Sequence, residues 1–421
     1  MARQGLVSHN KKEFEANAMY TTTQPQTTDI ALTPENREII EATLPIVGGA
    51  IEEITPVFYR TMFGNHPELI SDLFNRGNQR SGEQQKALAA SIATFATMLV
   101  NADAPDPREM LSRIGHKHVS LGITKDQYQI VHDNLFSAIV EVLGTDVVTP
   151  EVAAAWDEVY WLMAKVLIDY EHSLYESAVV VEGDVFRKVT LAEKKQLSDR
   201  VVQFRLSGVD FTDAMPGQYV SIGVILPDGA RQLRQYSIVD TTADSFTIAV
   251  QRDGEVSSFL MDNVAEGEQI QATLPAGDLV LQKDDAPVVL VSQGIGSTPM
   301  TGMLAALVAR ASSGATVPSV TVIHADATPE AYAQSEITEQ HVAALAKAGH
   351  ARHITRFRNN GETVNLAELQ AEGVVSQEAR WYLCGGTSFL QNLRDQLVEC
   401  EGELSPKGIH FELFSPNDWL I

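Results

Sequence analysis

Cysteine is scarce in this 421-residue sequence, which contains only Cys384 and Cys400. No disulfide framework can therefore hold the fold together, and we expect a reducing, cytoplasmic environment. Basic residues are also few, since 31 Lys and Arg stand against 55 Asp and Glu and give a net charge of −24. This charge disfavours a nucleic acid or an anionic membrane as a partner, because phosphate groups require a basic face.

Long apolar runs are absent as well. The most apolar helical run, Met300 to Ala311, is too short to span a bilayer. Residues 1–32 are polar and lack the apolar core of a signal peptide, so we expect a disordered extension there. The chain length predicts about three domains of a soluble globular protein, and we expect a monomer.

Residues 33–177 show helical periodicity and no strand alternation, which predicts an all-helical domain of roughly globin size. Leu111, Ile114 and His118 share one helical face, so His118 is predicted to point inward. The opposite face is polar and is predicted to point outward; it carries Ser112, Arg113, His116 and Ser120. An inward histidine is either a metal ligand or a hydrogen-bonded core residue.

Four more polar residues interrupt the apolar stripes of these helices. Tyr59 and Gln84 each place a polar group on an apolar face, and either also fits a boundary residue. Tyr128 and Glu171 are predicted to point inward, and a buried carboxylate is costly unless a partner is present. Together with His118 they suggest a triad that orients a metal-binding imidazole. A purely structural hydrogen-bond network is the alternative.

This segment resembles the globin domain of the flavohemoglobins. The matching residues are Phe58-Tyr59, Met62-Phe63, His66-Pro67-Glu68-Leu69, Asn78-Gln79-Arg80-Ser81-Gly82 and Lys117-His118. The resemblance implies a heme b group whose proximal iron ligand is His118. It makes Tyr59 and Gln84 the distal pair near bound oxygen. It makes Tyr128 and Glu171 the catalytic partners of the proximal imidazole.

From about residue 185 the hydrophobic period becomes alternating, and short strands without intervening helices predict an antiparallel barrel. The predicted strands are 201–206, 218–225, 235–239 and 246–252. In the third strand Tyr236 suits a flat ring, while Ser237 and Arg234, which directly precedes the strand, suit a phosphate. Gly254 opens a short helix whose free amides suit a pyrophosphate. Each motif alone also fits an ordinary strand or turn.

The order and spacing of these motifs resemble the FAD domain of the ferredoxin reductase-like family over residues 182–283. The resemblance implies that FAD is held by Tyr219, Arg234, Gln235, Tyr236, Ser237 and Ser257.

The last segment begins with a β-branched run, Val288 to Val291, followed by a glycine turn and a helix start that suit a phosphate. Further buried strands at 320–324, 381–384 and 409–414 alternate with helices, which predicts a doubly wound parallel sheet. We expect the nicotinamide cofactor to contact Gly294, Ile295, Gly296, Ser297, Thr298 and Pro299. Asp326 follows a strand and suits a ribose hydroxyl, which favours NADH over NADPH.

Cys384 lies at the carboxyl end of a strand, where open α/β sheets bind ligands. We expect it to contact the nicotinamide, and an inert buried thiol is the alternative. The resemblance also implies cofactor contacts at Leu413, Phe414, Ser415 and Pro416, and redox tuning by Lys117 and Glu412.

Three stretches depart from the family pattern. The family has Cys-Phe-Gly-Pro where this chain has Leu413-Phe414-Ser415-Pro416, so backbone contacts near the flavin are expected to differ. Cys384-Gly385-Gly386 replaces Cys-Gly-Pro. Tyr170 stands where the family usually has arginine, beside Glu171.

Heme, flavin and nicotinamide sites in this order predict an electron-transfer chain, because only flavin converts a hydride into single electrons. The expected fold is multidomain: an extension (1–32), an all-α globin heme domain (33–177), an antiparallel FAD barrel (182–283) and an α/β NAD domain (286–421). The resemblance implies a nitric oxide dioxygenase, in which NAD(P)H reduces FAD, FAD reduces heme, and heme-bound O2 oxidises nitric oxide to nitrate.

Other functions remain open. A member of this family could also reduce peroxide or lipid hydroperoxides. A flavin reductase that has lost heme and reduces a partner is one rival, and an oxygen store or gas sensor is another. The inward set of His118, Tyr128 and Glu171 argues against the first rival, and the reductase segment argues against the second.

Overall fold

The computed structural model describes residues 30–74, 83–101, 107–349, 351–375, 378–399 and 408–414. Within these ranges it leaves out the side chains of 71–72, 83–90, 107–110, 348 and 398. The motif 78–82 and most of the 1–32 extension therefore lie outside the described residues.

The first segment is helical, as its periodicity predicts. Its described helices are α1 (Pro34–Gly49), α2 (Ile51–Asn65), α3 (Pro67–Asp72), α4 (Glu83–Val100), α5 (Pro107–Leu121), α6 (Asp126–Leu143) and α7 (Pro150–Ser177). Helices α1, α3, α5 and α7 begin with proline, whose fixed φ suits a first helical position and whose missing N–H costs nothing there. Their apolar faces meet in one core that contains Phe58, Phe95, Leu111, Leu135 and Trp156.

The middle segment is a closed antiparallel barrel, and the prediction of a barrel is confirmed. Its strands are β1 (Phe186–Ser198), β2 (Val201–Ser207), β3 (Tyr219–Ile225), β4 (Arg231–Thr241), β5 (Ser245–Gln251) and β6 (Gln269–Thr273), in the order β1-β2-β5-β4-β3-β6. Helix α8 (Glu255–Asn263) follows Gly254. The strands β1 and β6 were not predicted, because β1 is rich in charged residues and β6 has only five residues.

The last segment is a doubly wound parallel sheet, as predicted. Its strands are β7 (Val288–Gln293), β8 (Val320–Asp326), β9 (Ala351–Phe357), β10 (Arg380–Gly385) and β11 (Gly408–Leu413), in the order β11-β10-β7-β8-β9. Helices α9 (Ser297–Ser312), α10 (Ser335–Ala348), α11 (Leu366–Ala371) and α12 (Thr387–Glu399) connect them. The strand order reverses between β7 and β10, and ligands bind at this switch point in open α/β sheets.

Strand β4 contacts both neighbouring segments. Near its start, the Gln232 amide donates a 3.3 Å hydrogen bond to the Ile70 carbonyl of α3. Toward its end, Ile238 packs against Gly302 of α9, where a β-carbon would lie 2.4 Å from the Ile238 oxygen. The strand that carries the predicted flavin motif therefore spans from the helical domain to the α/β domain. Among the described helices, none is long and apolar enough to cross a membrane.

Candidate functional site

The first cluster surrounds His118 on α5. Its Nδ1 lies 2.7 Å from Glu171 Oε1 and 3.1 Å from the Tyr128 hydroxyl. The Tyr128 hydroxyl donates a 2.5 Å hydrogen bond to the same carboxylate oxygen. The structure thus brings together the imidazole, phenol and carboxylate that the helical periodicity places inward.

These contacts decide which imidazole nitrogen can bind a metal. An ionised carboxylate only accepts hydrogen bonds, so Nδ1 of His118 carries the proton and Nε2 keeps its lone pair. Glu171 is almost fully buried, whereas 31% of the His118 side chain is exposed. Burial, and then the charge of Glu171, raises the pKa of Tyr128, so this phenol stays a donor. An available Nε2 backed by a carboxylate is a donor set that fits a heme iron.

Tyr59 is the distal candidate. It is buried on α2, and its ring lies 4.7 to 6.0 Å from the rings of Phe58, Phe63 and Phe74. A phenol enclosed by three phenylalanines suits an apolar pocket with one hydrogen-bonding group. Gln84 lies in α4, but its side chain is outside the described residues.

The outer face of α5 is not exposed to solvent. Sequence periodicity correctly separates His116 from the helical core, but solvent exposure does not follow, because the barrel covers this face. His116 and Ser120 are both buried there. The amide of Gly277 donates to His116 Nδ1 over 3.2 Å, and His116 Nε2 lies 3.0 Å from the Tyr170 hydroxyl.

The hydrogen bonds around His116 have one consistent direction. Because Nδ1 accepts from the Gly277 amide, Nε2 carries the proton and donates to Tyr170. Tyr170 can then donate to Ser112 Oγ, 3.2 Å away, and Ser112 donates to Asp278 over 3.1 Å. Burial lowers the pKa of His116, and the charge of Asp278 partly opposes this shift. This polar relay (Ser112, His116, Tyr170, Gly277 and Asp278) joins two helices to the loop after β6.

Sequence reasoning missed the relay, although it had identified Tyr170 as a departure from the family pattern. The contacts in the relay join residues 54 to 166 positions apart, and the two that reach the barrel loop span more than 160 positions. No local pattern distinguishes a polar face that meets solvent from one that meets another domain.

The predicted flavin residues lie on two faces of one strand pair. In the β3–β4 register Tyr219 pairs with Ser237, and Ser221 pairs with Gln235. Directly opposite residues share a face, so these four lie on one side of the sheet and Arg234 and Tyr236 on the other. Tyr236 packs against the apolar cluster of the barrel.

Arg234 reaches the beginning of α8, where we expect a pyrophosphate. Its Nη2 lies 3.8 Å from the Glu255 carboxylate in the first turn of that helix. The Ser257 hydroxyl accepts from the amides of Asp253 and Gly254 and donates to the Gly254 carbonyl. Ser257 therefore shapes the helix start with its own side chain, and the backbone amides and the Arg234 guanidinium remain the groups that suit an anion.

The predicted nicotinamide site lies at the switch point of the parallel sheet. Residues Gly294–Gly296 form a tight turn between β7 and α9, and Gly294 has a φ of 56°. A β-carbon on Gly296 would lie 2.4 Å from the Cys384 carbonyl, so only glycine lets this turn pack against β10. The Thr298 hydroxyl donates to the Ile295 carbonyl and fixes the start of α9, where Ser297, Thr298 and Pro299 are buried.

Cys384 is fully buried in an apolar cluster with Leu279, Met300 and Met303. It pairs with Glu412 in the β10–β11 register. Burial, and then the Glu412 charge, raises the pKa of the thiol. The side chain therefore lies beneath the strand end, and the expected contact with nicotinamide stays a prediction.

The remaining predicted residues lie near the same strand ends or on α5. Leu413 is buried at the end of β11, and Phe414 is half exposed beside it. Ser415 and Pro416 lie outside the described residues. Lys117 precedes His118, and its carbonyl accepts from Ser120. The Arg113 guanidinium of the same helix lies 4.0 Å from the centroid of the Phe411 ring. Phe411 directly precedes Glu412.

Asp326 is held in place at the end of β8. One of its oxygens accepts from the Ala327 amide, and the other lies 3.3 Å from His324 Nε2. The buried His324 ring stacks on Tyr332 and contacts Ser292 through Nδ1 at 2.8 Å. This carboxylate is fixed beside the predicted dinucleotide site. There it could accept a hydrogen bond from a ribose hydroxyl, whereas it would repel a phosphate group.

Known proteins combine the same parts. The family model described as Globin matches residues 57–167. The flavohemoprotein of Bacillus subtilis (strain 168) is 34% identical over 401 residues, which cover 90% of this chain and 96% of the relative. The flavohemoprotein of Deinococcus radiodurans is 40% identical over 303 residues, which cover 70% of this chain and 73% of the relative.

A crystal structure of flavohemoglobin from Malassezia yamatoensis with bound FAD and heme is similar over the whole fold. Its TM-score is 0.81 at 33% identity, and the match covers 91% of this chain and 99% of that chain. Fold and site together define a globin joined to a flavin- and nicotinamide-dependent reductase. The chain belongs to the flavohemoprotein family. The resemblance that its motifs indicate is thereby confirmed.

Proposed function

We propose that this protein is an NAD(P)H-dependent nitric oxide dioxygenase that uses heme, FAD and a nicotinamide nucleotide. The observation that carries the proposal is the His118–Glu171–Tyr128 cluster, in which the helix of His118 also packs against a flavin-type barrel. When bound, the nicotinamide supplies a hydride, FAD divides it into single electrons, and heme joins dioxygen to nitric oxide as nitrate. A heme-free reductase would have no use for this cluster.

On the proximal side, His118 Nε2 would bind the iron. Glu171 accepts the hydrogen bond from Nδ1–H and so strengthens the imidazole as an electron donor, while Tyr128 holds the carboxylate in place. On the distal side, Tyr59 would donate a hydrogen bond to the oxygen substrate as negative charge develops, with Gln84 assisting.

In the reductase, Tyr219, Gln235, Tyr236 and Ser237 would line the flavin. Arg234 and the first turn of α8, shaped by Ser257, would bind its pyrophosphate.

The turn Gly294–Gly296 and the start of α9 would bind the nicotinamide nucleotide, with Cys384 and residues 413–416 near its reactive end. Lys117 and Glu412 would tune the potentials of the redox groups. The fixed carboxylate of Asp326 favours NADH over NADPH.

We assign the globin domain to residues 33–177, the FAD domain to 182–283 and the NAD domain to 286–421. A monomer suffices, because all three sites come from one chain. The two cysteines fit a reducing compartment, so we place the protein in the cytoplasm.

The test is stepwise anaerobic reduction. NADH should bleach the flavin and then shift the heme spectrum to the ferrous form, and added oxygen and nitric oxide should yield nitrate. Electron counting requires one NADH for every two nitric oxide molecules. Absence of a heme band, or heme that NADH never reduces, would contradict the proposal. Consumption of peroxide without nitrate formation would instead support a peroxide reductase.

A further inference from the structure

A chain of hydrogen bonds through two buried serines crosses from the barrel to the helix of His118. Gln235 Nε2 donates to Ser221 Oγ over 3.2 Å, and Ser221 Oγ donates to Ser120 Oγ over 3.2 Å. Ser120 Oγ then donates to the Lys117 carbonyl over 2.8 Å. Both serines are buried.

The two ends of this chain fix its direction. An amide nitrogen only donates and a carbonyl oxygen only accepts, so both serine hydroxyls donate their hydrogen bonds in the same direction along the chain. Ser221 is also held by its backbone, because its amide donates to Thr273 Oγ1 of β6 over 2.8 Å. Its hydroxyl therefore faces α5 in one defined orientation.

The ends of the chain lie at the two proposed redox sites. Gln235 belongs to the predicted flavin motif on β4 and pairs with Ser221 in the sheet. The Lys117 carbonyl belongs to the peptide bond that leads into His118. The Ser120–Ser221 contact thus links the iron-ligand segment to β3, the strand that pairs with the predicted flavin strand β4.

We propose that Ser120 and Ser221 are positioning residues for electron transfer from flavin to heme. The inference rests on the proposed flavin and heme sites. In this step reduced FAD loses one electron and ferric iron becomes ferrous, and the serines neither lose nor gain a proton. Their contact holds α5 at a fixed register on β3, and electron transfer slows steeply as donor and acceptor move apart.

The polar relay makes the proposal testable. Its contacts from His116 and Ser112 hold α5 to the barrel independently of the two serines. Loss of one serine hydroxyl should therefore shift the local register without separating the domains. The variants are Ser120→Ala, Ser221→Ala and their combination in the full holoenzyme. The control is Ser245→Ala, a buried serine that contacts Thr242 within the barrel.

The experiment mixes each protein anaerobically with NADH and follows the flavin and heme absorption bands separately. Flavin reduction should keep its rate in all variants. Heme reduction should slow by about three- to tenfold in each single variant. The double variant should slow no further, because both changes remove the same contact. Ser245→Ala should match the unchanged protein.

Two further readouts separate positioning from other effects. The midpoint potentials of both groups should stay unchanged, and amide exchange of the peptide around Lys117 should rise only in the Ser120 and Ser221 variants. Unchanged heme reduction, additive losses in the double variant, or equal slowing in Ser245→Ala would each overturn the proposal. If the unchanged protein fails to reduce its heme with NADH, the proposed function itself is wrong.

Discussion

Gly115 of α5 lies directly against the ring of Tyr170 of α7. A β-carbon at position 115 would lie 2.6 Å from Cδ1 of that ring and 3.8 Å from Cγ of Glu171. The helix that carries His118 can therefore approach α7 closely only because residue 115 has no side chain. This close approach brings Glu171 to His118 and Tyr170 into the polar relay.

Gly115→Ala should destabilise the protein by about 1–2 kcal/mol, because overpacking outweighs the better helix propensity of alanine. The measurement is urea unfolding followed by helical circular dichroism. Gly64→Ala is the matched control, since Gly64 is also helical and a β-carbon there would meet nothing within 4 Å. That control should be neutral or stabilising. Equal effects at the two positions would contradict the steric explanation.

Tyr59→Phe should retain heme and FAD but reduce nitric oxide consumption by about tenfold or more, because the proposed distal role makes this hydroxyl a donor to developing charge. A nitric oxide electrode gives the rate, and absorption spectra give the cofactor content. Tyr175→Phe serves as the control, because it removes a phenol that donates to the Ile123 carbonyl. Unchanged turnover in Tyr59→Phe would falsify the distal role.

Glu171→Gln should raise the heme midpoint potential by about 60 mV, a tenfold change in a one-electron equilibrium. Without the negative charge beside Nδ1, the imidazole donates less electron density and stabilises ferric iron less. Spectroelectrochemical titration measures the shift. Glu176→Gln, on the exposed side of the same helix, should leave the potential in place. A potential that falls in Glu171→Gln would count against this role.

Cys384 should resist alkylation in the folded protein at pH 8, because burial raises the pKa of its thiol. The folded pKa lies above the unfolded value of about 8.5, so this group stabilises the fold below that pH. Its contribution is lost as the pH rises further. Peptide mass spectrometry after iodoacetamide treatment distinguishes Cys384 from Cys400, and unfolded protein is the positive control. Rapid labelling of folded protein would show that the thiol is accessible.

Val179→Gly should stabilise the protein by about 1 kcal/mol. Val179 has a φ of 56° after α7, and hydrogen bonds from Val179 N to Glu176 O and from Val180 N to Tyr175 O close the helix end. Glycine usually occupies this position, and Val179 is 83% exposed, so no packing is lost. Denaturant unfolding measures the gain. The control is Val181→Gly, because Val181 is also exposed but has no positive φ. This change should give no gain in stability.

The sequence was informative where short-range periodicity is strong. The alternation of apolar residues in 201–252 predicted four barrel strands because one face of each strand packs into the barrel. Strand β9 escaped prediction because its burial is incomplete and two arginines and a histidine interrupt it. Charged β1 escaped for the same reason.

The sequence by itself determined which face each polar residue of α5 occupies, since a helix repeats every 3.6 residues. His118 faces inward and His116 outward on that basis alone. Only the tertiary structure decided what covers the outward face. His116, Ser112 and Ser120 contact the barrel instead of water. Contacts between residues more than 100 positions apart depend on how whole domains pack, and no local pattern in the chain encodes that choice.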